Sequence, residues 1–381
     1  MTKSKIFFLA AVAFAMFQLS SCRSDDDPTF SIPSPTINED GYSLGGTLKY
    51  LYSTDGGLTF SATPPTNIAG GGNVLIKVNN GTTDLTAEDF DFDWSGSSPV
   101  PSNSGAAVAE FTVTSNITVN VKIVDKMTMI TSHRSNGKFF EVNPTTGATK
   151  ELFTPTYGDN PLLSVRGFVY HYNKNLFYAS VNTDAGGYLY TINPSTKVAT
   201  RINENDGANG AAIWDAIVNW AVASDDSLVA VGDFNDDGNG IVKFGTNGGR
   251  SAKTAEAEIC CALGMIYDAS AKSLVLANGS NTNNGEVLIE TFTQAGVSTG
   301  SVLITDFQSF PEDVSTSRLS LRCMVKAKDG SIYGNLFTDA TKKTFFVKID
   351  STTKKITYIS TLGADAANQY NSLAIVPNYT L

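Results

Sequence analysis

Lys138-Phe-Phe-Glu-Val142-Asn-Pro-Thr-Thr-Gly147, Tyr188-Leu-Tyr-Thr-Ile192-Asn-Pro-Ser-Thr196 and Thr344-Phe-Phe-Val-Lys-Ile349-Asp-Ser-Thr-Thr353 are three versions of one phrase. Each is an aromatic and β-branched run followed at once by Asn or Asp and small polar residues. Such a run reads as a strand and such a cluster as a tight turn. A third strand follows the turn, as in Val198-Ala-Thr-Arg-Ile202 and Ile356-Thr-Tyr-Ile359.

Working outward, another strand precedes each phrase: Met127-Thr-Met-Ile-Thr131, Leu176-Phe-Tyr-Ala-Ser180 and Ile332-Tyr-Gly-Asn335. Two further copies keep the strands and lose the phrase. They are Leu228-Val-Ala-Val-Gly232 with Gly240-Ile-Val-Lys-Phe244, and Leu274-Val-Leu-Ala-Asn278 with Glu286-Val-Leu-Ile-Glu290. Four copies carry one more strand ahead of these: Gly167–His171, Asn219–Ala223, Leu263–Tyr267 and Arg322–Lys326. The first copy lacks it, and the C-terminal Ser372-Leu-Ala-Ile-Val-Pro377 supplies the missing piece. Four-stranded units repeating about every 50 residues are propeller blades. The expected fold is therefore all-β: a small β-sandwich followed by a five-bladed β-propeller, closed by the C-terminal strand so that no edge stays unpaired there. The wording Asn143-Pro-Thr-Thr-Gly147 after an aromatic strand resembles propeller repeats of extracytoplasmic bacterial proteins. That resemblance covers about two-thirds of the chain and implies an architecture rather than an activity.

Residues 38–124 also alternate, in Gly46–Tyr52, Val74–Val78, Ala107–Val113 and Ile117–Val124, with Ser53-Thr-Asp-Gly-Gly57 and Gly70-Gly-Gly-Asn73 as turns. The pattern predicts a β-sandwich. It looks like the immunoglobulin-like modules that follow lipoprotein tethers, without a Cys…Trp…Cys spacing.

The N-terminus reads as a secretion signal. Lys3 and Lys5 precede an apolar run from Ile6 to Phe17, too short to span a bilayer, and Leu19-Ser20-Ser21-Cys22 follows. This resembles the lipobox of bacterial lipoproteins, which implies cleavage before Cys22 and acyl chains on it. The run Arg23-Ser-Asp-Asp-Asp27 resembles the acidic stretch of Bacteroidetes-type lipoproteins sent to the cell surface. The resulting expectation is a signal peptide at 1–21, a lipidated acidic, Pro-containing tether at 22–37, the sandwich at 38–124 and the propeller at 125–381. The protein would sit on the outer membrane, lipid-anchored and facing the cell surface.

Composition narrows the function. The 381 residues are 41% hydrophobic with 33 glycines, enough for a sizeable core and many turns, and the formal net charge is −10. Removal of residues 1–21 would leave 25 basic against 37 acidic residues, a net charge of −12. A body of that sign without a basic patch excludes nucleic acid as a partner.

Propellers bind at one mouth of the central channel. Residues at the heads of the innermost strands are Arg166, Trp214, Asp215, Cys260, Cys261, Arg322, Tyr370 and Asn371; loops add His133, Arg134, Asn182, Asp184, Asp233, Asn235 and Phe337. Arg, Trp and Tyr among amides suit a glycan, peptide or small nutrient. Ordinary rim residues that close the channel give the same pattern. Similar lipoproteins accompany outer-membrane transporters, so capture for uptake is one concrete form. A glycan hydrolase would need paired carboxylates, for which only Asp215 and Asp233 stand out. A purely structural envelope protein is the third reading. No dedicated cofactor is expected. Asp233-Phe-Asn235-Asp-Asp237-Gly238 matches the first half of a calcium loop, yet Ile241 and Phe244 occupy the later ligand positions, and a hairpin needs the same residues. In an oxidising compartment, Cys260 or Cys261 would bridge to Cys323 on the neighbouring innermost strand, with Cys261–Cys323 preferred.

Overall fold

The computed structural model describes residues 28–33, 35–183, 186–202, 216–233, 239–247, 249, 262–278, 282–363 and 369–381. The chain divides into two compact units, Met1–Lys126 and Met127–Leu381. The first unit contains β1 (Thr29–Phe30), β2 (Thr36–Asn38), β3 (Lys49–Ser53), β4 (Ile68–Ala69), β5 (Asn73–Asn79), β6 (Phe90–Asp93), β7 (Val108–Thr112) and β8 (Asn120–Asp125). They make two three-stranded sheets, β2-β8-β6 and β3-β5-β7, and a two-stranded β1-β4 pair. Alternation along β5 buries Val74, Ile76 and Val78 completely, the period-2 signature of a one-faced strand. Trp94 is fully buried. Its ring meets Tyr50 on β3 and Phe111 on β7, and its Nε1 donates to the Ala106 carbonyl at 2.8 Å.

The second unit opens with β9 (Met127–His133), β10 (Phe139–Val142) and β11 (Thr149–Phe153), then the short pair β12 (Thr156–Tyr157) and β13 (Asn160–Pro161). Next come β14 (Val165–His171), β15 (Leu176–Thr183), β16 (Gly186–Ile192) and β17 (Ala199–Arg201), and then β18 (Ala216–Val222), β19 (Leu228–Asp233) and β20 (Asn239–Phe244). β21 (Ala262–Asp268), β22 (Ser273–Asn278), β23 (Val287–Thr293) and β24 (Ser298–Ile304) follow. The last group is β25 (Asp306–Gln308), β26 (Leu319–Lys326), β27 (Ile332–Thr338), β28 (Thr344–Asp350), β29 (Lys355–Gly363) and β30 (Tyr370–Pro377). The main sheets are β11-β10-β9-β30, β14-β15-β16-β17, β18-β19-β20, β21-β22-β23-β24 and β25-β29-β28-β27-β26. Each is open. Two 3-10 turns, Tyr172–Lys174 and Asn378–Thr380, are the helical elements among the described residues.

The repeated phrase is one repeated turn. Asn143 Oδ1 accepts the Thr145 and Thr146 amides, Asn193 Oδ1 those of Ser195 and Thr196, and Asp350 Oδ1 those of Thr352 and Thr353, all at 2.9–3.0 Å. Each turn then closes on a left-handed residue: Gly147, Lys197 or Lys354, with φ of 66°, 63° and 56°. A short side-chain acceptor placed two residues ahead of an orphan amide is why Asn or Asp opens the phrase.

The chain's last strand is hydrogen-bonded to the first of this unit. β30 runs antiparallel to β9, with Leu373 opposite Thr131 and Val376 opposite Thr128. The innermost strands neighbour one another in the cyclic order β30, β14, β18, β21, β26 and back to β30. Apolar packing follows the same cycle. Phe139 and Val376 meet Phe168 and Phe177, and Tyr178 and Leu189 meet Trp220 and Phe244. Val231 and Ile241 meet Met265 and Leu276, and Ile266 and Ile289 meet Leu321 and Phe345. Tyr333 and Phe346 meet Met129 and Leu373, which returns the cycle to the first sheet. The core is thus layered between successive sheets in a propeller-like arrangement, each fully buried large side chain contributing about 1.5–3 kcal/mol.

Two expectations are corrected. The sheets are not uniformly four-stranded. β18-β19-β20 shows three strands among the described residues, and β25 adds a parallel fifth strand beside β29. Nor is the Cys261–Cys323 disulfide formed, because Cys323 is a free thiol, 1% exposed. Its direction explains this. Leu321 and Met324 point toward the fourth sheet, whose first strand follows Cys261. Cys323 points the other way, into the layer with Met129, Val142 and Leu373 of the first sheet. Burial pushes the Cys323 thiol well above the usual range. Cys260 and Cys261 lie outside the described residues.

Candidate site at the head of the innermost strands

Every innermost strand carries a register irregularity near its start. It falls between Val165 and Gly167 on β14, Ile217 and Asn219 on β18, Ala262 and Met265 on β21, Leu321 and Cys323 on β26, and Tyr370 and Ser372 on β30. A bulge leaves a residue without a cross-strand partner and re-aims it. The residues that the register passes over are Arg166, Val218, Leu263 with Gly264, Arg322 and Asn371. Three of the residues expected at the mouth are therefore bulge residues.

Bulging also exposes carbonyls, and side chains from other strands claim them. Ser372 Oγ donates to the Arg166 carbonyl at 3.3 Å, and Asn219 Nδ2 donates to the Arg322 carbonyl. Asn335 Nδ2 donates to the Tyr370 carbonyl at 3.2 Å and to Thr131 Oγ1 at 3.3 Å, while Thr131 Oγ1 donates to the Ser372 carbonyl at 2.7 Å. Asn219, Asn335, Thr131 and Ser372 are all buried. They form a polar belt that satisfies backbone the ladders no longer satisfy. Gly264 lets β26 approach: a Cβ there would lie 3.1 Å from the Leu321 carbonyl oxygen and 3.2 Å from Cys323 C.

Arginines stand at the same level. Arg134, just past β9, donates from Nη1 to Gln369 Oε1 at 2.9 Å, and its amide donates to the Gln369 carbonyl. Arg322 Nη1 donates to the same Gln369 Oε1 at 2.6 Å and to Asn371 Oδ1 at 2.9 Å. The Arg322 guanidinium also lies 3.8 Å from the centroid of the Phe337 ring. Arg166 Nε is buried without a hydrogen-bond partner. Among the described residues none of the three guanidinium groups forms an ion pair. Burial, and after it the charges of Arg134 and Arg166, pull Arg322 down to about 10. Burial also lowers Arg166, with Arg134 adding to it, and lowers Arg134. Asp339 acts on Arg322 weakly and is itself held by Lys342.

The structure thus brings together Arg134, Arg166, Arg322, Asn371 and Phe337 of the expected set. His133 and Tyr370 join them edge to face, their rings 5.2 Å apart. Asn182 sits on β15 and its amide donates to the Ser164 carbonyl. Trp214, Asp215, Asp184, Asn235 and Asp237, the side chain of Asp233, and Cys22 lie outside the described residues. Among the described residues no group of three or more His, Cys, Asp or Glu is placed to hold a metal. Gln369 was not anticipated. It precedes the last strand by one residue, and no sequence signal marks an amide that two arginines share.

The opposite ends of the same strands line an open hollow of about 480 Å³, with Met265, Met324, Leu373, Tyr172, Tyr267 and Lys326 among its lining. Much of its polar lining is internally paired, although His171 Nδ1 is buried without a hydrogen-bond partner. Asn173 Nδ2 donates to Asp226 Oδ1 at 2.8 Å, Tyr172 OH donates to the Ile375 carbonyl, and Lys326 meets Asp268 at 3.4 Å. His171, fully packed there, lies with Nε2 3.1 Å from the Asp226 carbonyl oxygen. The arginine end differs in holding cations that form no ion pair among the described residues.

No protein-family model and no curated protein matches the sequence. Solved structures with a related course include a chain of a nidogen/laminin complex (10% identity, 66% of this chain, 98% of that chain, TM-score 0.43). Another is a TolB-like protein of Agrobacterium tumefaciens (10%, 66%, 88%, TM-score 0.39). A third is a DUF4784 family protein of Bacteroides caccae (9%, 90%, 96%, TM-score 0.34). These likenesses are too distant to carry an argument about this chain, and the architecture rests on its own sheets.

Proposed function

We propose that this chain is a lipoprotein of the outer membrane, anchored through lipid on Cys22, whose C-terminal unit is a five-bladed β-propeller that binds a ligand where the innermost strands begin. An immunoglobulin-like module would then separate the binding unit from the tether. The cyclic order of innermost strands and the pairing of β30 with β9 support the propeller reading. The observation that carries the binding reading is the set of bulges at one level, which gathers Arg166, Arg322 and Asn371 beside Arg134 and Gln369. Partly exposed cations backed by the buried Asn371, Phe337, His133 and Tyr370 suit recognition, and the described residues there include no pair of facing carboxylates for hydrolysis. Capture for delivery to an outer-membrane transporter fits this role.

The test is an array of oligosaccharides and short peptides, probed with the full chain in detergent. Binding that falls in Phe337→Ala and Asn371→Ala supports the reading. Absence of binding to every class, or binding that neither substitution alters, overturns it. Mass spectrometry of the membrane-extracted protein should find acyl chains on Cys22, and an unmodified Cys22 would remove the anchor.

A further inference from the structure

We infer that the mouth formed by Arg134, Arg166 and Arg322 is built for a ligand that presents a single oxyanion, a carboxylate or sulfate ester, docked among the three guanidinium groups. This rests on the binding reading above and names the chemistry of that site. Half-buried arginines are ordinarily balanced by carboxylates, because an unbalanced charge out of water is costly. Here, among the described residues, their partners are neutral: Gln369 Oε1 serves Arg134 and Arg322, Asn371 Oδ1 serves Arg322, and Arg166 Nε has none. The three cations repel one another, so the protein carries an internal penalty that an incoming anion relieves. A guanidinium fork matches a planar or tetrahedral oxyanion through paired, charge-assisted hydrogen bonds.

The rest of the molecule sets the size of that anion. The chain is acidic overall, at −10. Its field repels long polyanions, while at physiological salt that field is screened within roughly 8 Å. A small anionic group reaching the arginines therefore escapes the repulsion that a nucleic acid or extended polyanion meets along the surface. Gln369 marks where the group sits, since its amide oxygen already lies between two guanidinium nitrogens.

The experiment uses the full chain in detergent. Thermal unfolding is followed against inorganic sulfate, methyl β-glucuronide and the methyl ester of that glucuronide, with ionic strength held constant by chloride. Sulfate and the glucuronide should raise the midpoint of the wild type, and the ester should not. The response should vanish in Gln369→Glu, which places a carboxylate between Arg134 and Arg322 without removing either. Calorimetric affinity for the glucuronide should fall at least about tenfold, or 1.4 kcal/mol, in Arg322→Gln and Arg166→Gln. Gln369→Glu keeps the test decisive if an arginine variant fails to fold. The same midpoint shift with sulfate in wild type and Gln369→Glu overturns the inference, as does equal binding of acid and ester. If neutral array ligands bind while the anions do not, the binding reading stands and the anion site falls. If nothing binds, both fall. A shift with sulfate alone assigns the oxyanion to sulfate, and one with the glucuronide alone to carboxylate.

Discussion

Replacing Gln369 by Glu should stabilise this protein, which is unusual for a buried-side substitution. The new side chain has the same reach, and one carboxylate oxygen would occupy the place of Oε1, 2.9 Å from Arg134 Nη1 and 2.6 Å from Arg322 Nη1. Two hydrogen bonds from charged donors to a neutral oxygen become ion pairs, each adding about 1–2 kcal/mol of Coulombic attraction in this half-buried setting. Desolvating the carboxylate offsets part of this, and the net gain is about 1–2 kcal/mol. For a unit of this size that raises the midpoint by about 2–4 °C per kcal/mol. This gain depends on pH. The glutamate's folded pKa is held below its unfolded value, so the gain is complete above the unfolded value and disappears as pH falls through the folded one. Scanning calorimetry of wild type and variant, near neutrality and in acid, measures both effects. A variant that melts at or below the wild-type temperature near neutrality would refute the view that the three arginines lack a counter-charge among the described residues.

Cys323 should resist alkylation in the folded chain and react after denaturation, read by peptide mass spectrometry, because it is 1% exposed and its thiol is pushed upward by burial. Recovery of a peptide joined to Cys261 would contradict its packing toward the first sheet. Asp225 is held at about 2 by Ser227 and then by Lys243. Asp225→Asn should therefore cost no more than about 1 kcal/mol near neutrality, since the pair is largely exposed. That difference from wild type should shrink as pH falls through the folded pKa in urea titrations, and a difference that persists unchanged in acid would count against it.

The turns were legible because their chemistry is local: Asn143, Asn193 and Asp350 each hold amides two and three residues ahead. The place of the last strand was legible too, because the first repeat lacked one strand and the C-terminus had one spare. Arg166, Arg322 and Asn371 could be found by their position at strand heads. That they are bulge residues could not, since a bulge is a mismatch of register with a partner far along the chain. The direction of Cys323 was lost for the same reason: Leu321 and Met324 face one neighbour, Cys323 the other, and the slip between them is not written in the residue types. The cavity at the far end went unseen because Met265, Met324 and Leu373 read as ordinary core.

Deuterium uptake of the intact chain, resolved peptide by peptide, bears most directly on whether the final strand completes the opening sheet and so aligns the five bulges. Peptides spanning Met127–His133 and Tyr370–Pro377 should exchange as slowly as the centre of Leu176–Thr183 and open together in denaturant. Free exchange in Tyr370–Pro377 beside continued protection of Met127–His133 would contradict the pairing and leave the arginines without a shared mouth.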